Sequence, residues 1–236
     1  MNIVKPYARL MPLIAECHAM PEDGSFMHFS QNDGINLLRR IEWCGRISHR
    51  SEDSQTDDSW QRFIKAVVID KGDWSITEHA GVSVDWLSDR GVTHELVRHR
   101  LFSFTQESTR FVNYEKKMPP SFILPEGLEE CDVPYQAWCA AINHAEAYYR
   151  DMVTLGKVAP QIARSVFPNA LASRVIITGN LRNWRHFLIM RTTRESHPQM
   201  REITIPLLEE FKEKIPMLFD DIEPMQSQAA AIVRAR

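Results

Sequence analysis

Residues 80–110, AGVSVDWLSDRGVTHELVRHRLFSFTQESTR, read as three successive pieces. Ala80, Val82, Val84 and Trp86 alternate with Gly81, Ser83 and Asp85. That period of two places one face of a strand in a core. Asp89 then offers a capping carboxylate, so a helix is expected to start there and run into Arg98, with Glu95 and Arg98 on one face. The last piece, Arg98–Arg110, sets Arg98, His99, Arg100 and Arg110 beside Leu101, Phe102 and Phe104, with Ser103, Gln106, Glu107, Ser108 and Thr109 between them. A run made for solubility would favour Lys and Glu and omit Phe. The planar fork of Arg suits phosphates and carbonyl-rich rings. The piece therefore reads as an anion pocket for a nucleotide-like ligand. The plain alternative is a solvated helix end with stray aromatics.

Working outward, the same two periods recur. Asn2–Leu10 reads as a short strand. Asn32 or Asp33 can cap a helix through Ile35, Leu38 and Ile41 that stops near Gly45. Ser59 can cap a second, with Trp60, Phe63, Ile64, Val67 and Val68 inward and Gly72 closing it. Gly72–His79 is a polar turn. Phe122–Leu124 is a short extended piece between prolines. Pro134 suits the first turn of a helix through Trp138, Ile142, Ala145, Tyr149 and Met152, ending at Gly156. Further helices are expected at about 159–166, 180–191 and 199–214, and Arg174–Thr178 reads as a strand. No internal repeat and no Gly/Ser-rich linker divides the 236 residues. The expected architecture is one α+β domain over residues 1–236, with more helix than strand.

Composition narrows the function. A formal net charge of −3 argues against a chain that binds nucleic acid over its whole surface. Cys17, Cys44, Cys131 and Cys139 form no C-x-x-C pair and suit a reducing compartment. Neither a signal peptide nor a long apolar span is evident, so a soluble cytoplasmic protein is expected. The segment 160–201 holds seven arginines, no lysine and one acid, Glu195. Either it lines an anion site or it lies against acidic surface elsewhere. His94-Glu95 and His99 suggest H-E-x-x-H, but the histidines are five apart, roughly 140° around a helix, which argues against zinc. Glu78-His79 could be an acid/base pair, although a lone His at a strand start is more often structural. There is no Gly-rich phosphate loop, no G-x-S-x-G elbow and no cysteine in the basic piece, so no protein nucleophile stands out.

Arg98-His99-Arg100, Ser103, Ser108 and Arg110 match R-H-R-x-x-S-x-x-x-x-S-x-R, the signature of flavin-dependent thymidylate synthases (the ThyX family). Arg46-Ile47-Ser48 resembles that family's A-R-x-S segment, and Gly72–His79 resembles its G-H-x-S-x-x-E-H turn. Arg164 with Pro168, Asn180-Leu181-Arg182, His186 and Arg191 resemble its C-terminal ligand segments. The likeness covers roughly residues 40–200.

The resemblance implies helices packed on a mostly antiparallel sheet, in a homotetramer with active sites built between subunits. It implies conversion of dUMP to dTMP, with 5,10-methylenetetrahydrofolate as carbon donor and FAD, reduced by NADPH, as hydride source. Nucleic acid and membrane are not expected partners. Carried over by residue, Arg191 is the catalytic cation facing the uracil. Glu95, Leu96, Val97, Arg98, Gln106, Glu107, Ser108, Thr109, Arg110 and Arg164 would join it in binding dUMP. Ser75, Arg98, His99, Arg100, Gln106, Asn180, Leu181, Arg182 and His186 would bind FAD, with Ser48 a further candidate. No metal is implied. The chain departs from the family pattern at Asp73 (commonly His), Glu95 (often Gln), Gln106 (often Glu) and Phe111 (commonly Tyr), and in a longer loop at 191–199. Competing readings of the same arginines are a single-stranded nucleic-acid module and another flavin-dependent nucleotide-modifying enzyme on this scaffold.

Overall fold

A computed structural model describes residues 1–12, 29–116, 118–128 and 132–226. The strands are β1 (Asn2–Val4), β2 (Tyr7–Leu10), β3 (Gly81–Asp89), β4 (Ser103–Gln106), β5 (Ser121–Ile123) and β6 (Ala172–Asn180). The α-helices are α1 (Gln31–Ile47), α2 (Ser59–Phe63), α3 (Arg90–Leu96), α4 (Val133–Thr154), α5 (Pro160–Ala163), α6 (Leu181–Arg191) and α7 (Pro198–Lys214). The described chain is α+β.

Four strands form a sheet in the order β2-β3-β6-β4. Its ladders are antiparallel, because partner numbers fall as strand numbers rise. Met11 N–H bonds the Ser83 carbonyl while Arg9 pairs with Asp85. Leu181 N–H bonds the Ala80 carbonyl, and Arg90 N–H bonds that of Asn169. Glu107 N–H reaches Arg174, and the Asn183 side chain reaches the Leu101 carbonyl. β1 and β5 form a separate parallel pair in which Ile3 lies opposite Phe122. The expected single strand over Asn2–Leu10 is thus two strands with different partners. They are broken at Lys5-Pro6, where proline has no N–H to give a ladder.

By internal packing the chain divides into two compact units, each assembled from three stretches of sequence. The first comprises Met1–Tyr7, Trp86–Arg98 and Phe104–Ile176, and the second holds the rest. Neither is a continuous segment that could be excised. The first unit's core joins Tyr114, Phe122, Ile142, Tyr149, Ala163 and Leu171. Phe167 stacks on Tyr149 at 4.5 Å, with Tyr114 edge-on at 5.5 Å. The second unit's core includes Leu38, Ile41, Ile64, Val84, Trp184, Leu207 and Phe211, all fully buried.

Several boundaries differ from the sequence expectation. α1 begins earlier, because Ser30 and Asp33 form a reciprocal capping box. Gly45 lies inside α1 and does not end it; a Cβ there would come within 2.6 Å of the Phe63 ring. Beyond Phe63 the second helix widens into a π-helix, Ile64–Asp70. The turn after Gly72 is a 3-10 helix, Trp74–His79. α3 is capped by the Asp89 carboxylate as expected, but it ends at Leu96, before the arginines.

Gly34 lets α1 lie close against the end of α7. A Cβ on it would lie 1.7 Å from the Lys214 carbonyl oxygen at the end of α7. Backbone cannot rotate away as a side chain can, so Gly34→Ala should destabilise the protein by about 2–3 kcal/mol. Urea unfolding measures it.

Candidate functional site

The expected site residues fall into two groups, one in each unit, and the boundary runs between Arg98 and His99.

In the first unit the signature leaves α3 through a turn, in which Arg98 N–H bonds the Glu95 carbonyl, and then enters β4. The Leu96 side chain is 1% exposed, so Leu96 can meet a ligand only through its backbone. From Gln106, the last residue of β4, through Arg110 the chain is pinned by side-chain hydrogen bonds. Gln106 Nε2 donates to the Thr93 and Ser173 hydroxyls at 3.0 and 2.9 Å. Tyr114 O–H donates to Glu107 Oε1 at 2.8 Å. Arg164 Nη1 donates to the buried Thr109 hydroxyl at 2.8 Å. Ser108 accepts from the Arg110 N–H, and the exposed Arg110 guanidinium lies over the Phe111 ring. Burial and the Glu107 carboxylate push the Tyr114 hydroxyl well above its ordinary range, so it stays a donor. Its hold on Glu107 fixes an acid that would otherwise be free to repel a bound anion. Next to this loop, Arg90, Thr109, Arg164, Phe167, Asn169 and Leu171 line a cavity of about 420 Å³. With its two cations it suits a phosphate.

In the second unit α6 carries most of the group. Asn180 Oδ1 caps the helix by accepting from Asn183 N–H, and Leu181 is buried with its N–H on Ala80. Asn180 and Leu181 therefore position the helix with these groups. Ser75 is exposed and donates to Asp73 at 2.7 Å, so the Asp73 carboxylate orients this hydroxyl. Ser48 donates to the Gly45 carbonyl. Arg182 pairs with Glu78, each about half-exposed at 50% and 47%. Such a surface pair is worth little and can open for an anion. Arg100 and His186 are exposed.

At the other end of α6, Arg191 Nε donates to His99 Nε2 at 2.9 Å. The imidazole is wedged edge-on against Phe187 at 4.8 Å and Phe102 at 6.5 Å. Burial, then Arg191, then His186 lower the His99 pKa from 6.5 to about 4. The unfolded chain therefore binds a proton between pH 6.5 and 4 that the fold refuses. Stability should be full above pH 6.5 and fall as pH drops towards 4, by about 1–2 kcal/mol after allowance for solvent screening. Denaturant titrations at pH 7 and 4.5 on the wild type and a His99→Gln variant isolate this contribution.

The arginine-rich segment is not all ligand surface. Arg185, 5% exposed, forks onto Asp221 at 2.7 and 2.6 Å, bonds the Leu218 carbonyl and stacks on Trp74 at 4.2 Å. Arg201 bonds the carbonyls of Arg194 and Ser196. The reading that the segment lies against acids holds for two of its arginines. Arg185 and Arg182 lie against acids, while Arg164 and Arg191 sit in the two candidate groups. Sequence reasoning missed Tyr114, Thr93 and Ser173 as supports. Tyr114 lies just past the signature, but nothing local marks its partner.

Cations backed by aromatic rings on an α+β scaffold suit anionic, ring-bearing ligands. Residues 35–217 match the family model described as Thymidylate synthase complementing protein. A flavin-dependent thymidylate synthase from Corynebacterium diphtheriae is 35% identical over 201 residues, spanning 78% of this chain and 78% of that protein. Its counterpart from Corynebacterium efficiens is 32% identical over 241 residues, spanning 94% and 92%. A crystal structure of ThyX from Helicobacter pylori with FAD and dUMP superposes with a TM-score of 0.66 at 18% identity, covering 92% of this chain and 98% of that one. This likeness speaks for the fold. The chain belongs to the flavin-dependent thymidylate synthase family. The nucleic-acid module is set aside. Among the described residues no helix is long and apolar enough to cross a membrane.

Proposed function

We propose that this chain is an FAD-dependent thymidylate synthase. It methylates dUMP to dTMP with carbon from 5,10-methylenetetrahydrofolate and reducing equivalents from NADPH. The observation that carries the reading is Arg191, a cation held through Nε at 2.9 Å by an imidazole packed among aromatic rings. Uracil C5 is a poor nucleophile until the ring gains electron density. A preplaced cation facing the ring stabilises the negative charge that develops as N3 ionises. Arg98, Ser108, Arg110 and Arg164 hold the nucleotide and its phosphate. The backbone of Glu95–Val97, with Gln106, Glu107 and Thr109, shapes that loop.

The donor chemistry of the second group fits FAD. It offers a surface ion pair able to open at Arg182, an exposed Arg100 and His186, and the Ser75 hydroxyl. His99 belongs to the same group, and Asn180 and Leu181 fix the helix that presents it; Arg98 and Gln106 are assigned to FAD by the family resemblance alone. When bound, FAD supplies the reducing hydride. The residues 1–236 act as one catalytic domain, in a cytoplasmic homotetramer whose active sites draw on more than one subunit. Phosphorylated ligands at each site account for cations supplied by several segments.

The test is direct. Purified protein should be yellow, and with NADPH and 5,10-methylenetetrahydrofolate it should form dTMP from dUMP. A colourless protein that cannot be loaded with FAD and forms no dTMP would remove the reading.

A further inference from the structure

We propose that His99 is the positioning residue of Arg191: its neutral imidazole, protonated on Nδ1, takes the Arg191 Nε–H on Nε2 and so sets the direction of the guanidinium. Arginine can only donate, so the 2.9 Å bond requires a lone pair on Nε2. A neutral imidazole with that lone pair carries its proton on Nδ1. The tautomer follows from the geometry alone.

The ring cannot turn freely to undo the bond. Phe187 meets it at 79° between planes and Phe102 at 83°. The Phe102 ring in turn rests against Gly179, where a Cβ would come within 2.4 Å. The charged and titratable groups that face His99 are Arg191 and His186, both from α6. An imidazolium would set a cation against the Arg191 guanidinium and lose the acceptor. The low pKa agrees with this, and it keeps the bond intact at neutral pH. With Nε anchored, the plane of the guanidinium is set by a ring packed edge-on between Phe187 and Phe102. The inference rests on the reading of Arg191 given above. It adds a duty to His99 beyond contact with FAD.

Two arms test it on the full chain. Nitrogen NMR of the wild-type imidazoles at pH 7 should show His99 neutral, with the proton on Nδ1. A proton on Nε2, or an imidazolium, overturns the proposal whatever the activity. In the second arm, His99→Gln keeps an acceptor near Nε2, and His99→Phe keeps the ring packing without one. FAD occupancy is read by absorbance and brought to saturation in each. At saturating dUMP, His99→Phe should lose about tenfold or more in kcat, while His99→Gln stays within about threefold. Equal losses in both, or no loss in His99→Phe, overturn it. Failure of the Arg191 reading is distinguishable: it would appear as full activity in Arg191→Ala, and the NMR arm would still judge the tautomer.

Discussion

Arg191→Ala should lower kcat for dTMP formation by about 10²–10³-fold at saturating dUMP and FAD, the size of effect seen when one preorganised electrostatic group is removed. The fold should survive. The substitution trims one side chain of α6 to alanine, the best helix former, and leaves the helix backbone in place. Arg191 also closes α6, and the Thr204 hydroxyl holds its backbone carbonyl at 2.9 Å, an anchor the variant keeps. Arg191→Lys should recover little, because an ammonium has neither the Nε–H that His99 accepts nor a planar face for a pyrimidine. Steady-state kinetics over dUMP concentration, with FAD absorbance and circular dichroism as controls, decide the matter. Near-wild-type turnover in Arg191→Ala would take the catalytic role away from this residue.

Trp184→Ala should cost about 3–5 kcal/mol, the range for deleting a large buried ring. Trp184 is fully buried, and its indole N–H donates to the Val82 carbonyl at 3.2 Å. Phe102 lies 4.8 Å from its ring, Phe211 5.5 Å and Phe187 5.6 Å. A loss of that size removes a large share of the roughly 5–15 kcal/mol that holds a typical domain together. It should also blunt activity before the protein unfolds, since Phe102 and Phe187 are the rings that hold His99. Trp184→Phe should be milder, because it refills most of the cavity and gives up the hydrogen bond. Urea midpoints report the difference. A change below about 1 kcal/mol in the alanine variant would mean that the aromatic cluster is not the keystone we take it for.

The amino-acid sequence by itself determined whatever depends on near neighbours. The period of two over Ala80–Trp86 produced β3, and Asp89 capped α3 where a short side chain can reach a free N–H. Asn180 did the same for α6. The spacing from Arg98 to Arg110 was long enough to mark the family. Boundaries failed where distant packing overruled local chemistry. Gly45 reads as a stop, yet the helix runs on past it to Ile47, and the glycine is needed there because Phe63 occupies the space a Cβ would fill.

Only the tertiary structure could sort the arginines. In the sequence Arg185 and Arg191 are equal cations on one helix. In the fold one is locked onto Asp221 and Trp74, while the other is held by His99, 92 residues away. The same is true of Glu107, whose carboxylate accepts a hydrogen bond from the buried Tyr114 hydroxyl. Local sequence sets backbone conformation because the forces involved act within a few residues. It does not set the partner of a long side chain, because the fold chooses that partner when it brings remote segments within 3 Å. The signature therefore named the family, and the fold separated Arg185, locked onto Asp221, from Arg191, held by His99 and proposed above as the catalytic cation.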